Sequence, residues 1–429
     1  MRLAVWSPLP PSPSGIADYV AEQVPLLRGH ADLALVGEEP RDRIDADLHL
    51  YHLGNSPSHA YVYRAASERP GVLFLHESNL HQLVLHETVE RGDAAAYLRE
   101  MRRAHGAVGT FVARQVARGL GGDLLPALFP LSDRVLEGSL AVVGLTRHVS
   151  SMAALRLPGR PVLQLPHHAF LPLDPVPSRI QARRGLGLDP EAFVITSPGL
   201  ATATKRLDAA VRVAGRMSKT DPSLLLVIAG AVDPRLPLRE WADRAGLGER
   251  LVITGRLDLE DFVRHLVAAD VVLALRFPSH GEMSGALMRA LCVGRPVLVS
   301  SGSPPAEELP EGIVVPVDPG PLEEAQLQAL LERLRSDRPL ADSISALARD
   351  HARRHHDPAE SVSRLVAFLR QVLERKQELE SAVAAERVPE DGLLGYLVDE
   401  VRGAGRELGL PGAHASLTPL LRELLGGDA

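Results

Sequence analysis

Short apolar runs alternate with longer stretches of mixed polarity along most of the chain. Residues 3–6, 33–36, 48–53, 72–75 and 141–145 are runs of strand length, and the segments between them carry helix-compatible apolar spacing, as in residues 16–27. This strand–helix rhythm predicts a parallel sheet flanked by helices. It pauses near residues 161–177, where Pro161, Pro166, Pro172, Pro175 and Pro177 interrupt regular structure, and a domain linker is expected there. The rhythm then restarts with apolar runs at 193–197, 224–229, 251–254, 271–275, 296–300 and 313–317, which predict a second parallel sheet. From Pro358 to about Glu386 the apolar positions Val362, Leu365, Val366, Phe368, Leu369 and Val372 predict one long helix, opened by proline in its first turn. Beyond it, Leu393, Leu394, Leu397 and Val398, then Leu417, Leu420, Leu421 and Leu425, suggest a small helical appendage. The expected division is 1–172, 173–357, a helix over 358–386 packing back across the domains, and an appendage over 387–429.

Composition narrows the class without changing this layout. A chain of 429 residues with 45% hydrophobic and 24% charged residues suits two large globular domains rather than a disordered chain. A net charge of -7 gives no broad reason to bind nucleic acid or an anionic bilayer. Arg99, Arg102, Arg103, Arg114 and Arg118 form a local basic cluster, read as a solvated helix face, with peripheral contact to an anionic lipid or acceptor left open. The single cysteine, Cys292, cannot close an intrachain disulfide, which fits a reducing compartment. Residues 1–10 lack a charged leader followed by an apolar stretch, and no window approaches the ~20 apolar residues of a membrane span. A cytoplasmic protein without a transmembrane segment is the expectation.

Candidate chemistry gathers where strands end, the place at which open α/β sheets bind ligands. Pro10-Pro11-Ser12-Pro13-Ser14-Gly15-Ile16 forms a small loop before a helix whose N-terminal amides attract phosphate, and Gly15 allows close approach. No G-x-G-x-x-G fingerprint occupies a strand-to-helix turn, which disfavours nicotinamide chemistry. His52, Gly54, Asn55 and His59 follow one strand, and His76-Glu77-Ser78-Asn79 follows the next. In the second half Ser197-Pro198-Gly199 ends a strand and Lys205 lies six residues beyond the glycine, where a helix opens. Thr254-Gly255-Arg256 ends another strand. Then comes Ser279-His280-Gly281-Glu282-Met283-Ser284-Gly285, a polar loop with a carboxylate inside it, leading into an apolar helix with Arg289 and on to Gly294-Arg295-Pro296.

The order of these segments, over roughly residues 1–375, resembles the GT-B glycosyltransferases, in particular the large retaining family often called family four, or glycosyltransferase group 1. The resemblance implies two Rossmann-like parallel-sheet domains facing a cleft, with the helical extension outside it. It also implies transfer of a sugar from a nucleotide diphosphate sugar to an acceptor with retention of configuration, the leaving diphosphate assisting attack from the same face. By the same resemblance His76, Lys205 and Glu282 would be catalytic. Gly15, Ile16, Asn55, His59, Glu77, Gly199, Gly255, Arg256, Gly281, Met283, Ser284, Gly285, Arg289 and Glu308 would line the substrates.

Several positions depart from the family pattern. Leu200 stands where relatives often carry an arginine just after the glycine, and Glu77 stands where Asp often follows the histidine. Gly281 and Arg289 stand where many relatives carry two glutamates; the second holds the ribose hydroxyls, so Arg289 itself or Glu308 is expected to take over that contact. Gly255 and Arg256 serve equally as an ordinary turn. No cofactor beyond the nucleotide-sugar co-substrate and no metal is expected, and Asp45-Ala46-Asp47 lies at the start of a strand rather than its end. The acceptor, whether saccharide, lipid, protein or small molecule, stays open. A nucleotide-sugar epimerase on the same scaffold and a catalytically degenerate nucleotide-sugar-binding protein remain the alternatives.

Overall fold

The structure, a computed structural model, describes residues 1–12, 14–38, 44–122, 124–386, 393–410 and 413–424. Pro13 of the first loop, and residues 387–392 and Leu425 of the expected appendage, lie outside the described residues. The chain divides into two compact units, the first of Met1–Leu165, His280–Glu282 and Ala359–Ala429, the second of Pro166–Ser279 and Met283–Pro358.

The first unit is built on a parallel sheet of six strands: β1 (Arg2–Trp6), β2 (Asp32–Val36), β3 (Leu48–Leu53), β4 (Val72–Leu75), β5 (Ala141–Gly144) and β6 (Val162–Gln164), in the order β2-β1-β3-β4-β5-β6. Strands β3, β4 and β5 are buried along their whole length, so β4 and β5 read as continuous apolar runs and β3 buries His49 and His52 among its apolar residues. The order reverses at β1, which lies between β2 and β3, so the β1/β3 boundary is the sheet's topological switch point. Strand β6 falls inside the stretch expected to be linker. Pro161 and Pro166 flank it without entering it, and an edge strand tolerates such neighbours.

The stretch expected as one helix over 358–386 is two helices, Pro358–Glu374 and Lys376–Glu386. The tail helix Leu393–Glu407 packs on the long helix Ala94–Val116 through two glycines. A Cβ on Gly403 would lie 3.1 Å from the Cα of Gly106, and Gly106 (φ 55°) is also where the long helix kinks. Charges close the same contact. Asp399 accepts from Arg102 at 2.9 Å and Arg402 at 2.6 Å, and Glu137 accepts from Arg103 at 2.8 Å and Arg402 at 3.1 Å. The expected solvated basic face is therefore corrected for Arg102 and Arg103, which are partners of acids distant in sequence. Arg114 and Arg118 remain exposed.

The second unit repeats the plan with β7 (Phe193–Pro198), β8 (Leu224–Ala229), β9 (Leu251–Ile253), β10 (Val271–Ala274), β11 (Val297–Ser300) and β12 (Val315–Val317), in the order β12-β11-β10-β7-β8-β9, all parallel. Its switch point is the β7/β10 boundary. One buried carboxylate pins these strands at their amino ends. Asp270, just before β10, accepts the Val194 N–H of β7 at 2.8 Å, Arg183 at 2.5 Å and Arg179 at 2.6 Å. Two apolar clusters, one around Leu226, Ile228 and Leu273 and one around Val272, Leu287 and Leu291, fill the two faces of the sheet. Among the described residues no helix is long and apolar enough to cross a membrane.

Candidate functional site

Residues at the carboxyl end of the first sheet converge near its switch point. Ser14 caps the helix Gly15–Leu27, its hydroxyl accepting the Ile16 N–H at 3.2 Å. Ile16 reaches across to the end of β3: a Cβ on Gly54 would strike its Cδ1 at 2.4 Å and lie 3.4 Å from Glu77 Oε1 and 3.7 Å from His59 Cε1. A side chain at position 54 would displace the tip of Ile16, so the glycine leaves room for Ile16 beside Glu77 and His59. Gly15 needs no such explanation, since a Cβ there would meet nothing within 4 Å.

Several residues in this group are committed to the protein itself. Asn55 accepts the Leu83 N–H at 3.1 Å through its side chain and gives its own N–H to Glu77 at 2.9 Å. His59 is buried, touched by the hydroxyls of Ser56 at 3.1 Å and Ser58 at 3.3 Å, and burial pushes its imidazole down to about 4, so it is neutral near pH 7. His76 is buried at the end of β4, its Nε2 3.1 Å from His52 Nδ1 and its ring stacked on Phe74 and edge-on to Tyr19. The short segment His280–Glu282 also belongs to this unit. Ser78 N–H donates to the His280 carbonyl at 2.8 Å, Thr146 Oγ1 to the Gly281 carbonyl at 2.8 Å, and Glu77 lies 3.7 Å from the His280 imidazole. Gly281 (φ 81°) has no room for a side chain, because a Cβ would fall 2.4 Å from His148. The Glu282 carboxylate accepts the N–H of His280 at 2.6 Å, which shapes its own loop.

In the second unit the ends of β7 and β8 run together. Gly199 (φ 81°) donates to Ala229 O at 2.8 Å, and a Cβ on Gly230 would strike Gly199 O at 2.4 Å. Lys205 folds back along Gly199, its ammonium donating to the Pro198 carbonyl, and a Cβ on Gly199 would lie 3.2 Å from Nζ. Burial, and secondarily the charge of Arg276, hold the Lys205 ammonium well below the usual lysine range. Gly255 (φ 71°) makes the turn after β9, Arg256 is exposed, and Thr254 Oγ1 accepts the Gly230 N–H at 3.1 Å.

The helix Gly285–Cys292 starts at Ser284, whose hydroxyl accepts the Leu287 N–H at 3.4 Å, and Met283 packs against the apolar cluster beside it. Arg289 is buried and donates back to Gly285 O at 3.3 Å; His167, held neutral by burial, lies beside the same glycine. Glu308 is half-buried on the short helix Pro304–Glu308 after β11. Among the described residues no group of three or more His, Cys, Asp or Glu side chains could hold a metal ion, and Asp45 and Asp47 pair with Arg2. Two residues escaped the sequence reading. Arg276 lies just past the end of β10, a placement at a strand's carboxyl end that sequence can suggest. His167 sits in the proline-rich stretch, where no pattern pointed to it.

Residues 178–351, which hold all six strands of the second sheet, match the model of a family described as glycosyl transferases group 1. The matched residues lie largely within the second unit. Solved structures share the fold over most of the chain. A sucrose-phosphate synthase from Thermosynechococcus elongatus is similar at TM-score 0.59 and 14% identity, over 87% of this chain and 99% of its own. The Anabaena protein HepE, solved in complex with UDP and glucose, is similar at TM-score 0.56 and 16% identity, over 86% of this chain and 100% of its own. WaaG, a glycosyltransferase involved in lipopolysaccharide biosynthesis, is similar at TM-score 0.56 and 14% identity, over 86% of this chain and 99% of its own. The architecture is that of the GT-B glycosyltransferases. No curated protein matches the chain significantly in sequence.

Proposed function

We propose that this chain is a retaining glycosyltransferase that takes its sugar from a nucleoside diphosphate sugar. The observation that carries the reading is Lys205, a half-buried ammonium held well below the usual lysine range by desolvation, at the switch point of the second sheet, on the turn that follows the close-packed Gly199 and Gly230. Desolvating a cation is costly, and a bound diphosphate supplies the countercharge. As the bond between the anomeric carbon and the diphosphate oxygen breaks, negative charge grows on the leaving group and the ammonium stabilises it. The acceptor hydroxyl attacks the same face, the new bond to the anomeric carbon forms, and the acceptor's proton passes to the leaving phosphate oxygen. No carboxylate nucleophile is required, unlike the paired carboxylates of glycosidases. HepE, with UDP and glucose bound, motivates trying uridine donors first. Donor hydrolysis and transfer with a panel of nucleoside diphosphate sugars, followed by proton NMR of the anomeric signal, tests this. The sugar should first appear in the donor's own anomeric configuration, with the nucleoside diphosphate released. An inverted anomer would overturn retention, and an altered sugar still attached to the nucleotide would favour an epimerase. Binding without turnover would favour the degenerate reading, which the departures at Leu200 and Arg289 motivate.

A further inference from the structure

Lys205 ends a short turn of helix, Ala203–Lys205, and Arg206 stands between that turn and the helix Leu207–Met217. Arg206 lies in the left-handed region (φ 54°, ψ 33°), and among the described residues it is the sole non-glycine with a positive φ. A side chain disfavours that conformation by roughly 5- to 30-fold, whereas glycine adopts it freely. An interaction must therefore hold the arginine there. Its guanidinium makes a paired grip on Glu323, the first residue of the helix Glu323–Ser336: Nε donates to both carboxylate oxygens at 3.0 Å and Nη2 to Oε2 at 2.5 Å. Glu323 is 2% exposed, and low exposure strengthens a charge-assisted bond of this geometry. The backbone is fixed on both sides of Arg206, since Lys205 N–H donates to the Thr202 carbonyl at 3.1 Å and Ala210 N–H to the Arg206 carbonyl at 3.1 Å. Residue 206 is thus where the chain turns from the lysine into the helix, and from that turn the ammonium reaches back to the Pro198 carbonyl beside Gly199.

We propose that Arg206 and Glu323 are positioning residues for Lys205: their ion pair holds residue 206 left-handed, and that conformation sets the ammonium against Gly199 in place for a diphosphate. Neither residue needs to touch the ligand. A cation stabilises growing negative charge best when it is already in position, because no reorganisation is then required as the bond breaks. The pair supplies that fixed position from the helix Glu323–Ser336, far from Lys205 in sequence.

The inference rests on the nucleotide-sugar reading above, and the test separates the two. Calorimetry with UDP, GDP, ADP, TDP and CDP compares wild type with Arg206→Ala and Arg206→Gly, and melting temperatures are measured alongside. Both variants lose the ion pair and leave Glu323 without it, so both should melt below wild type. Affinity should follow the backbone instead. Arg206→Ala should weaken the preferred nucleotide about 5- to 30-fold, because alanine without a partner abandons the left-handed region, while Arg206→Gly should stay within about threefold of wild type. Adding Glu323→Gln to Arg206→Gly should change affinity by less than about twofold, since the carboxylate acts only through residue 206. Should the single variants fold poorly, the same contrast between alanine and glycine is expected on a Glu323→Gln background, where no buried charge is stranded. Equal affinity of the alanine and glycine variants overturns the positioning role and leaves the donor reading intact. Failure of wild type to bind any of the five nucleotides overturns the donor reading itself, and this proposal with it.

Discussion

Replacing Lys205 with methionine keeps the length of the side chain and removes its charge, so the effects on folding and on substrate binding separate. In the empty protein the ammonium donates to the Pro198 carbonyl and is otherwise desolvated beside Gly199. Methionine forfeits that hydrogen bond, a loss of about 1 kcal/mol, but no longer buries a charge, so the melting temperature of the unliganded variant should equal or exceed that of wild type. Binding should suffer. A hydrogen bond to a charged partner contributes about 1.5–3 kcal/mol, which corresponds to nucleoside diphosphate affinity falling roughly 10- to 150-fold. Turnover should fall further, about 100- to 1,000-fold in kcat, because charge on the leaving group is larger in the transition state than in the ground state. Proton linkage adds a second signature. The lysine is held down when the site is empty and pulled back up by a bound anion, so binding takes up a proton and affinity declines as pH rises between those two values. Calorimetry in buffers of different ionisation enthalpy reads the uptake directly. Unchanged diphosphate affinity in Lys205→Met would refute the reasoning.

Other consequences follow from the scaffold. Asp270→Ala strands the buried Arg183 guanidinium and frees the Val194 amide, so unfolding should cost about 3–5 kcal/mol less and the melting temperature should drop by roughly 6–20 °C; a drop under about 3 °C would contradict the anchoring role. Gly403→Val cannot fit against Gly106, so the tail helix should detach, and limited proteolysis should cut between 386 and 410 faster than in wild type. His59 is neutral when folded down to about pH 4 but titrates near 6.5 when unfolded. The unfolded chain therefore binds the extra proton between those values, and stability is lost as pH falls through them, by up to about 3 kcal/mol. His59→Asn should flatten that part of a melting-temperature profile, and an unchanged slope would count against the assignment.

Both sheets were legible because strands buried on two faces leave unbroken apolar runs, as residues 72–75 and 224–229 do. Strand β6 was hidden because three residues between prolines carry no pattern, and its place in the sheet comes from pairing with β5. Candidate residues near their own strand ends, such as Gly199, Lys205 and Glu77, could be read from local spacing. The neighbourhood of Lys205 and Arg276 could not, since it arises from the β7/β10 pairing between segments far apart in sequence. The same reason misled the reading of Arg102 and Arg103, whose acids Asp399 and Glu137 come from elsewhere in the chain. The single helix expected over 358–386 lacked any glycine or proline to mark its break at Arg375.

The central claim is that the second unit binds the diphosphate of a nucleotide sugar around Lys205. Calorimetric titration of the wild-type chain with UDP, GDP, ADP, TDP and CDP tests it most directly. The account predicts saturable binding of at least one of them, weakened roughly 10- to 150-fold in Lys205→Met. Absence of binding by all five, or binding that Lys205→Met leaves untouched, would contradict it.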